Sequence, residues 1–261
     1  MTDTRFMKSL VCELTANSQV NNDIFILHFT WAGPVPKAGQ FFMVKPQRSS
    51  VFLARPISVC EFNAAQSTVK FLIARRGKGT EELSQMYIGE KAELTGPLGN
   101  AWADFLPEGG KAALVGGGVG IAPLQAIASE KPDYLFHFYA GFKYGFRSKE
   151  EEDAILGVAA YAKKLIITAE DGRNALGGRI VDFLFEPQNY DVIFACGPAP
   201  MLKAVKEKCE TKRVSCYVSL ERRMACGVGV CLGCTVRTLK GGRRCCADGP
   251  IFPAGELIFD E

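Results

Sequence analysis

The sequence predicts an α+β protein in three parts: an N-terminal antiparallel β-barrel, a parallel α/β domain and a C-terminal cysteine-rich segment. In the first part, short β-rich runs are separated by Gly and Pro, which is typical of a small barrel. From Lys111 onward, apolar runs alternate with helical stretches, which indicates parallel βαβ units. From Glu221 onward, the chain is rich in Gly and Cys and shows little periodicity. We place the three parts at residues 1–102, 103–215 and 216–261.

The expected elements follow from these patterns. In the first part we expect strands at residues 24–29, 40–44, 57–59 and 68–73, and a helix at residues 79–86 with Thr80 at its start. In the second part we expect strands at residues 112–115, 134–139, 164–168 and 191–196. Helices are expected at residues 121–129, 149–163, 179–185 and 200–210.

The composition indicates a chain that buries a hydrophobic core and does not bind nucleic acid. The 261 residues are 48% hydrophobic, and 31 Lys and Arg against 28 Asp and Glu leave a net charge of +3. This balance argues against nucleic acid, which needs a concentrated basic face. There is no run of ~18 apolar residues for a membrane span, and residues 1–20 lack the apolar region of a secretory signal. We therefore expect a cytoplasmic protein.

Four of the ten cysteines have the spacing C-x4-C-x2-C-x11-C, which is that of plant-type [2Fe–2S] proteins. These are Cys226, Cys231, Cys234 and Cys246. The intervening Gly227, Gly229 and Gly233 permit the backbone angles of a tight ligand loop. A structural zinc site is the alternative, but zinc sites typically use two C-x2-C pairs and only one is present. Spacing alone leaves open whether Cys245 or Cys246 is the fourth ligand.

The remaining cysteines are scattered. Cys12, Cys60, Cys209 and Cys216 lie in apolar or helical contexts, so we expect them to be small core residues.

Two glycine-containing turns follow predicted strands of the α/β part. The first, in residues 114–124, contains Gly116, Gly117, Gly118, Gly120 and Pro123. The second contains Cys196, Gly197 and Pro198. Glycines at a strand-to-helix turn allow a diphosphate to approach backbone N–H groups, although such turns also occur for packing. We expect both turns at the carboxyl edge of one sheet, where α/β proteins bind ligands.

The barrel part contains the run Arg55-Pro56-Ile57-Ser58. Arg pairs with phosphate, Pro fixes the backbone and Ser donates a hydrogen bond. By itself, such a run is more often structural, and Gly79-Thr80 and the Gly-Pro-Leu-Gly run at 96–99 are equally weak alone.

Taken in this order, the motifs resemble those of the ferredoxin–NADP reductase superfamily. The resemblance implies FAD on residues 55–58 and 79–80, with Leu72, Ile73 and Ala74 beside it. It also implies NAD at the glycine run, with Cys196 near the nicotinamide. Residues 219–229, followed by Cys231, Cys234 and Cys246-Ala247-Asp248-Gly249-Pro250, look like the electron-transfer subunits of dihydroorotate dehydrogenase B. That family has its fourth ligand just before an acidic residue and Asp-Gly-Pro, which selects Cys246, makes Cys245 a bystander and marks Ala247 as a departure.

The resemblance further implies a partner, the FMN-containing catalytic subunit that oxidises dihydroorotate, in a heterotetramer of two copies of each chain. Electrons would pass from that FMN through the cluster and FAD to NAD, and no catalytic residue for dihydroorotate is expected in this chain. One alternative is a reductase subunit for ferredoxin or sulfur compounds that uses NADPH. A zinc-stabilised binding module is the non-enzymatic alternative.

The acidic pair Glu170-Asp171 follows a predicted strand of the dinucleotide-binding part. Carboxylates at this place repel a 2′-phosphate and accept hydrogen bonds from a ribose, so we expect NADH to be preferred over NADPH. The alternative is that the pair simply forms a surface turn with Gly172.

Overall fold

The computed structural model describes residues 7–157, 159, 162–184 and 186–259. Over these residues the chain forms an antiparallel sheet of seven strands, a mainly parallel sheet of seven strands and a two-stranded ribbon. The strands of the first sheet are β1 (Lys8–Gln19), β2 (Ile24–Thr30), β3 (Phe41–Pro46), β4 (Arg55–Ser58), β5 (Glu61–Asn63), β6 (Thr68–Ala74) and β7 (Lys91–Leu98).

The antiparallel sheet has the order β4-β3-β7-β1-β2-β6-β5 and is curled around one core. Ile57 of β4 and Phe71 of β6, which lie toward opposite ends of that order, belong to the same buried cluster. Phe42 belongs to this cluster and packs edge-on against Trp31 at 4.7 Å between ring centroids. The barrel-like first part is therefore confirmed. Helix α1 (Lys78–Ser84) covers it and buries Leu83 in the core.

The second sheet contains the predicted βαβ units. Its strands are β8 (Lys111–Gly117), β9 (Leu135–Phe142), β10 (Lys164–Ala169), β11 (Leu176–Gly177), β12 (Val192–Cys196), β13 (Ser215–Ser219) and β16 (Ile251–Pro253). Their order is β11-β10-β9-β8-β12-β13-β16, and all neighbours are parallel except β16, which is antiparallel to β13. The helices of this part are α2 (Ala122–Glu130), α3 (Lys149–Leu156) and α4 (Ala199–Lys212).

Two predicted helices differ from the structure. The helix expected at residues 149–163 ends at Leu156, because Gly157 adopts a φ of 48° and breaks the helical hydrogen bonding. The helix expected at residues 179–185 is a 3-10 turn, Ile180–Phe183. Residues 158, 160, 161 and 185 of these two predictions lie outside the described residues.

The cysteine-rich segment packs against both larger parts. Its ribbon consists of β14 (Thr235–Thr238) and β15 (Gly241–Arg244), followed by the short helix α5 (Cys245–Asp248). Strand β16 then returns to the parallel sheet. A boundary after residue 215 falls inside β13, and one after residue 102 falls inside a 3-10 turn, Trp102–Phe105. None of the described helices has the length and apolar character needed to cross a membrane.

Candidate functional site

A cavity of about 530 Å³ lies where the three parts of the chain meet. This volume is within the range of small-molecule sites. Its wall includes nine of the residues that the sequence singles out: Arg55, Pro56, Ile57, Ser58, Leu72, Ile73, Ala74, Thr80 and Pro123. The barrel strands β4 and β6 therefore form one side, and the start of α2 forms another. Their role as cofactor ligands stays a prediction.

The Arg55 side chain has an unpaired polar atom at this cavity. One terminal nitrogen donates to the carbonyl oxygen of Leu53 at 2.8 Å, whereas Nε is buried and has no hydrogen-bond partner. A buried donor on a charged group is costly unless an acceptor reaches it. A phosphate oxygen is a suitable acceptor for a guanidinium.

Gly79 supports Arg55 rather than lining the cavity. A Cβ atom at this position would lie 2.3 Å from Arg55 Nε, so only glycine allows the guanidinium to lie there. The hydroxyl of Thr80 accepts from the backbone N–H groups of Arg76 and Gly77, at 2.9 and 3.2 Å. Thr80 thus shapes the turn that holds Gly79 against the arginine.

The two glycine turns of the parallel sheet lie side by side. Strands β8 and β12 are neighbours, with Gly116 opposite Cys196. A Cβ atom at Gly120 would lie 2.4 Å from the Cys196 carbonyl oxygen, and one at Gly117 would lie 2.7 Å from Pro198. These glycines are therefore needed for the close approach of the turns. Gly118 has a φ of 56° and open space around it, and Gly197 lies against Gly117.

Cys196 is buried beside Ser219, and burial is the main cause that raises the pKa of its thiol. It does not belong to the cavity wall, so its contact with a nicotinamide stays a prediction. Glu221 does line the cavity and was not singled out by sequence reasoning. Although it is exposed to the cavity, surrounding protein atoms desolvate it and raise its pKa, while Arg76 acts in the opposite direction.

Residues 219–224 form a continuous part of the cavity wall, from Ser219 through Met224. The sequence does not assign this run to the flavin site, and the run enters only through the family resemblance. It begins at the end of a strand of the parallel sheet and stops just before Cys226, and this position is the signal that could have identified it as part of the site.

The acidic pair lies after β10, which is two strands away from β8. Asp171 accepts hydrogen bonds from the N–H groups of Gly145 and Arg173, at 2.9 and 3.1 Å, and these bonds lower its pKa. Asp171 thus stabilises a turn, whereas Glu170 is exposed. The preference for NADH stays a prediction and depends mainly on Glu170.

The predicted cluster ligands lie on one loop and on α5. Cys234 and Cys246 are buried, with their sulfur atoms 3.3 Å apart. The Cys246 sulfur accepts from the N–H of Gly229 at 3.1 Å. The Cys226 sulfur accepts from the N–H groups of Val228 and Cys231, at 3.5 and 3.4 Å.

N–H donors of this kind stabilise the thiolate form that binds iron. Burial opposes that form at Cys226, but the hydrogen bonds from Cys231 and Val228 lower its pKa to about 6. In the described ranges, no three His, Cys, Asp or Glu side chains converge tightly enough for one metal ion.

The loop conformation corrects one detail. Gly227 and Gly229 have φ angles of 69° and 80°, as expected, but Gly233 is not left-handed. Leu232 adopts this conformation instead, with a φ of 60°. Arg244 braces the loop: it donates to both carboxylate oxygens of Asp248 at 2.9 Å, which lowers the pKa of Asp248 to about 2.

A curled antiparallel sheet with a cavity and a parallel sheet with paired glycine turns, followed here by a cysteine loop, define the ferredoxin–NADP reductase fold. An NADH-dependent reduced ferredoxin–NADP oxidoreductase aligns over 95% of this chain and 90% of its own, with a TM-score of 0.79 and 24% identity. A ferredoxin NADP+ reductase from Neisseria gonorrhoeae aligns over 78% of this chain and 92% of its own, with a TM-score of 0.64 and 17% identity.

Sequence relatives are more specific. Residues 221–258 match the family described as the iron-sulfur cluster binding domain of dihydroorotate dehydrogenase B. The electron transfer subunit of dihydroorotate dehydrogenase B (NAD(+)) from Clostridium acetobutylicum is 37% identical over 97% of this chain and 99% of its own. The corresponding subunit from Clostridium perfringens is 39% identical over 85% of this chain and 87% of its own. The chain belongs to this family, which confirms the resemblance and favours iron–sulfur over zinc.

Proposed function

We propose that this chain carries electrons from the FMN of a dihydroorotate-oxidising subunit, through a [2Fe–2S] cluster and FAD, to NAD+ in pyrimidine biosynthesis. The observation that carries the proposal is the run of residues 219–224. It lines the candidate flavin cavity and ends two residues before Cys226, so one short segment joins the two sites. When bound, a flavin exchanges a hydride with a nicotinamide and single electrons with a cluster.

The chain's own residues have binding roles in this scheme. Arg55 would pair with the FAD diphosphate through its buried Nε, and the wall of Pro56, Ile57 and Leu72 would hold the apolar ring system. Ser58, which also lines the cavity, would supply a hydrogen bond to the flavin. Val119, which lies within the glycine run, also lines the cavity, so a dinucleotide bound at that run would reach the flavin.

A separate surface fits the partner subunit. Cys231 is exposed, and its neighbours Val230 and Leu232 are 78% and 61% exposed. Phe52 is 87% exposed and lines a small cleft together with Cys226. Exposed apolar side chains grouped around a site mark protein interfaces. We assign this surface to the FMN-containing subunit, in an assembly of two copies of each chain.

Reconstitution with the catalytic subunit tests the proposal. Dihydroorotate should reduce NAD+ only when both chains are present, whereas this chain alone should pass electrons from NADH to an artificial dye. Leu232→Glu should abolish the coupled reaction and leave the dye reaction intact, because charge at the interface prevents docking. The matched control is Leu176→Glu, on the outer strand β11 of the parallel sheet. Equal coupled activity of both variants would refute the assigned surface.

Co-purification from the native cell distinguishes the remaining alternative. Capture of an FMN-containing dihydroorotate-oxidising chain supports the proposal, whereas a ferredoxin or a sulfur-reducing partner, together with NADPH preference, would replace it. A cytoplasmic location is part of the proposal, because a reducing compartment keeps cysteine thiolates free to bind iron.

A further inference from the structure

Cys245 lies between the candidate cluster loop and the wall of the flavin cavity. Its side chain is fully buried. Its thiol donates to the carbonyl oxygen of Leu220 at 3.1 Å, and Leu220 lines the cavity. Its backbone N–H donates to the carbonyl oxygen of Cys234 at 3.1 Å. One residue therefore contacts a predicted ligand on one side and the cavity wall on the other.

Leu220 is held to this turn at two points. Its own N–H donates to the carbonyl oxygen of Pro250 at 2.9 Å, while its carbonyl oxygen accepts from Cys245. Both partners belong to the segment that contains Cys246. The backbone of Leu220, which forms part of the cavity wall, is thus fixed through both its N–H and its carbonyl oxygen to the turn that carries the fourth predicted ligand.

We propose that Cys245 is a positioning residue for electron transfer between the [2Fe–2S] cluster and FAD. It fixes the distance and orientation between the cluster turn and the flavin wall. This inference rests on the proposed function. Each transfer moves one electron between the two groups, and Cys245 forms no bond to iron, is not oxidised or reduced, and gives up no proton.

The geometry separates this role from that of a ligand. Cys246 directs its sulfur toward Cys234 and accepts from Gly229, whereas the Cys245 sulfur points to Leu220. Groups that hydrogen-bond around a metal site orient its ligands, and their loss typically lowers affinity or activity about 10–100-fold.

Three variants of the FAD- and cluster-loaded protein test the proposal. Cys245→Ala removes the donor, and Cys245→Ser keeps one. Cys12→Ala is the matched control, because Cys12 is buried in the barrel and its thiol lies 3.7 Å from the Leu10 carbonyl oxygen. NADH is mixed anaerobically with each variant. Flavin absorbance reports hydride transfer, and freeze-quench electron paramagnetic resonance reports cluster reduction.

Cluster reduction should slow roughly tenfold in Cys245→Ala, with hydride transfer unchanged, and Cys245→Ser and Cys12→Ala should behave as the wild type. A wild-type rate in Cys245→Ala overturns the proposal, as does an equally slow Cys245→Ser. Loss of iron from both Cys245 variants would make Cys245 a ligand and also overturns it.

Amide hydrogen exchange of residues 219–224 with FAD bound gives a readout that does not need the cluster. Exchange should be faster in Cys245→Ala but not in Cys245→Ser, and unchanged exchange in Cys245→Ala overturns the proposal even if that variant loses iron. Failure of the proposed function is distinguishable, because the wild type itself would then lack flavin or cluster.

Discussion

Replacement of Arg55 by Ala separates flavin binding from folding. In the FAD complex, Nε is expected to donate to a phosphate oxygen, and a hydrogen bond between charged groups contributes about 1.5–3 kcal/mol. Because 1.4 kcal/mol corresponds to a tenfold change in a dissociation constant, Arg55→Ala should weaken FAD binding roughly 10- to 100-fold.

The stability of the protein without FAD should change far less. Arg55→Ala removes the bond to the Leu53 carbonyl, which contributes about 1 kcal/mol. It also removes the unpaired buried Nε, which is unfavourable by a similar amount. The free energy of unfolding should therefore shift by less than about 1 kcal/mol. Thermal unfolding and quenching of flavin fluorescence on titration measure the two quantities.

One further test variant and two control variants sharpen this test. Arg75→Ala removes the same charge, but Arg75 pairs with Glu81 and does not line the cavity. Gly79→Ala should weaken FAD binding because its Cβ displaces the guanidinium, whereas Gly77→Ala adds a Cβ with nothing within 4 Å. Equal FAD affinity of Arg55→Ala and Arg75→Ala would refute the role of Arg55 as a phosphate ligand.

Three further outcomes are expected. Cys246→Ser should lose iron and sulfide but keep FAD and NADH-to-dye activity. Metal analysis and a dye assay measure these quantities, and retained iron would refute the assignment of Cys246 as a ligand. Steady-state rates should be higher with NADH than with NADPH, and Glu170→Gln should lower the ratio of the NADH rate to the NADPH rate. A preference of the wild type for NADPH would contradict the predicted role of Glu170. Burial, Lys111 and Lys164 lower the pKa of His137 below its usual 6.5. The unfolded state then binds the proton more tightly, so stability is present above pH 6.5 and falls below it. Urea unfolding at pH values around and below 6.5 should show that the free energy of unfolding of His137→Asn depends less on pH than that of the wild type. An identical pH dependence in both proteins would contradict the lowered pKa of His137.

The sequence predicted the strands and helices that have a regular pattern of apolar residues or that are bounded by Gly and Pro. Apolar runs predicted β2, β3 and β6 of the antiparallel sheet and the central strands β9, β8 and β12 of the parallel sheet. The glycine turns were placed where parallel strands end. Strand β1 is not predicted, because its apolar run, Leu10-Val11-Cys12, is only three residues long and the residues after it are mostly polar. It is a strand because both its edges are paired, with β2 and with β7.

The contacts that the sequence does not show are long-range. The family resemblance makes Cys245 a bystander, and its hydrogen bond to Leu220, 25 residues away, could not be predicted because spacing carries no information about where a thiol points. Glu221 was not singled out because only the junction of the three parts makes its segment a cavity wall. The helix predicted through residue 163 shows that a helix end can also be missed for a local reason, because Gly157, with its positive φ, ends the helix at Leu156.

The central claim is that one chain joins a nicotinamide reaction to a [2Fe–2S] cluster through FAD. The most direct test is electron paramagnetic resonance of the purified, FAD-loaded chain reduced anaerobically with NADH. The account predicts the signal of a reduced [2Fe–2S] cluster in the wild type, and its absence when FAD is removed or when Cys246 is replaced by Ser. A protein that holds zinc instead, or an iron–sulfur signal that NADH produces equally well without FAD, would contradict it.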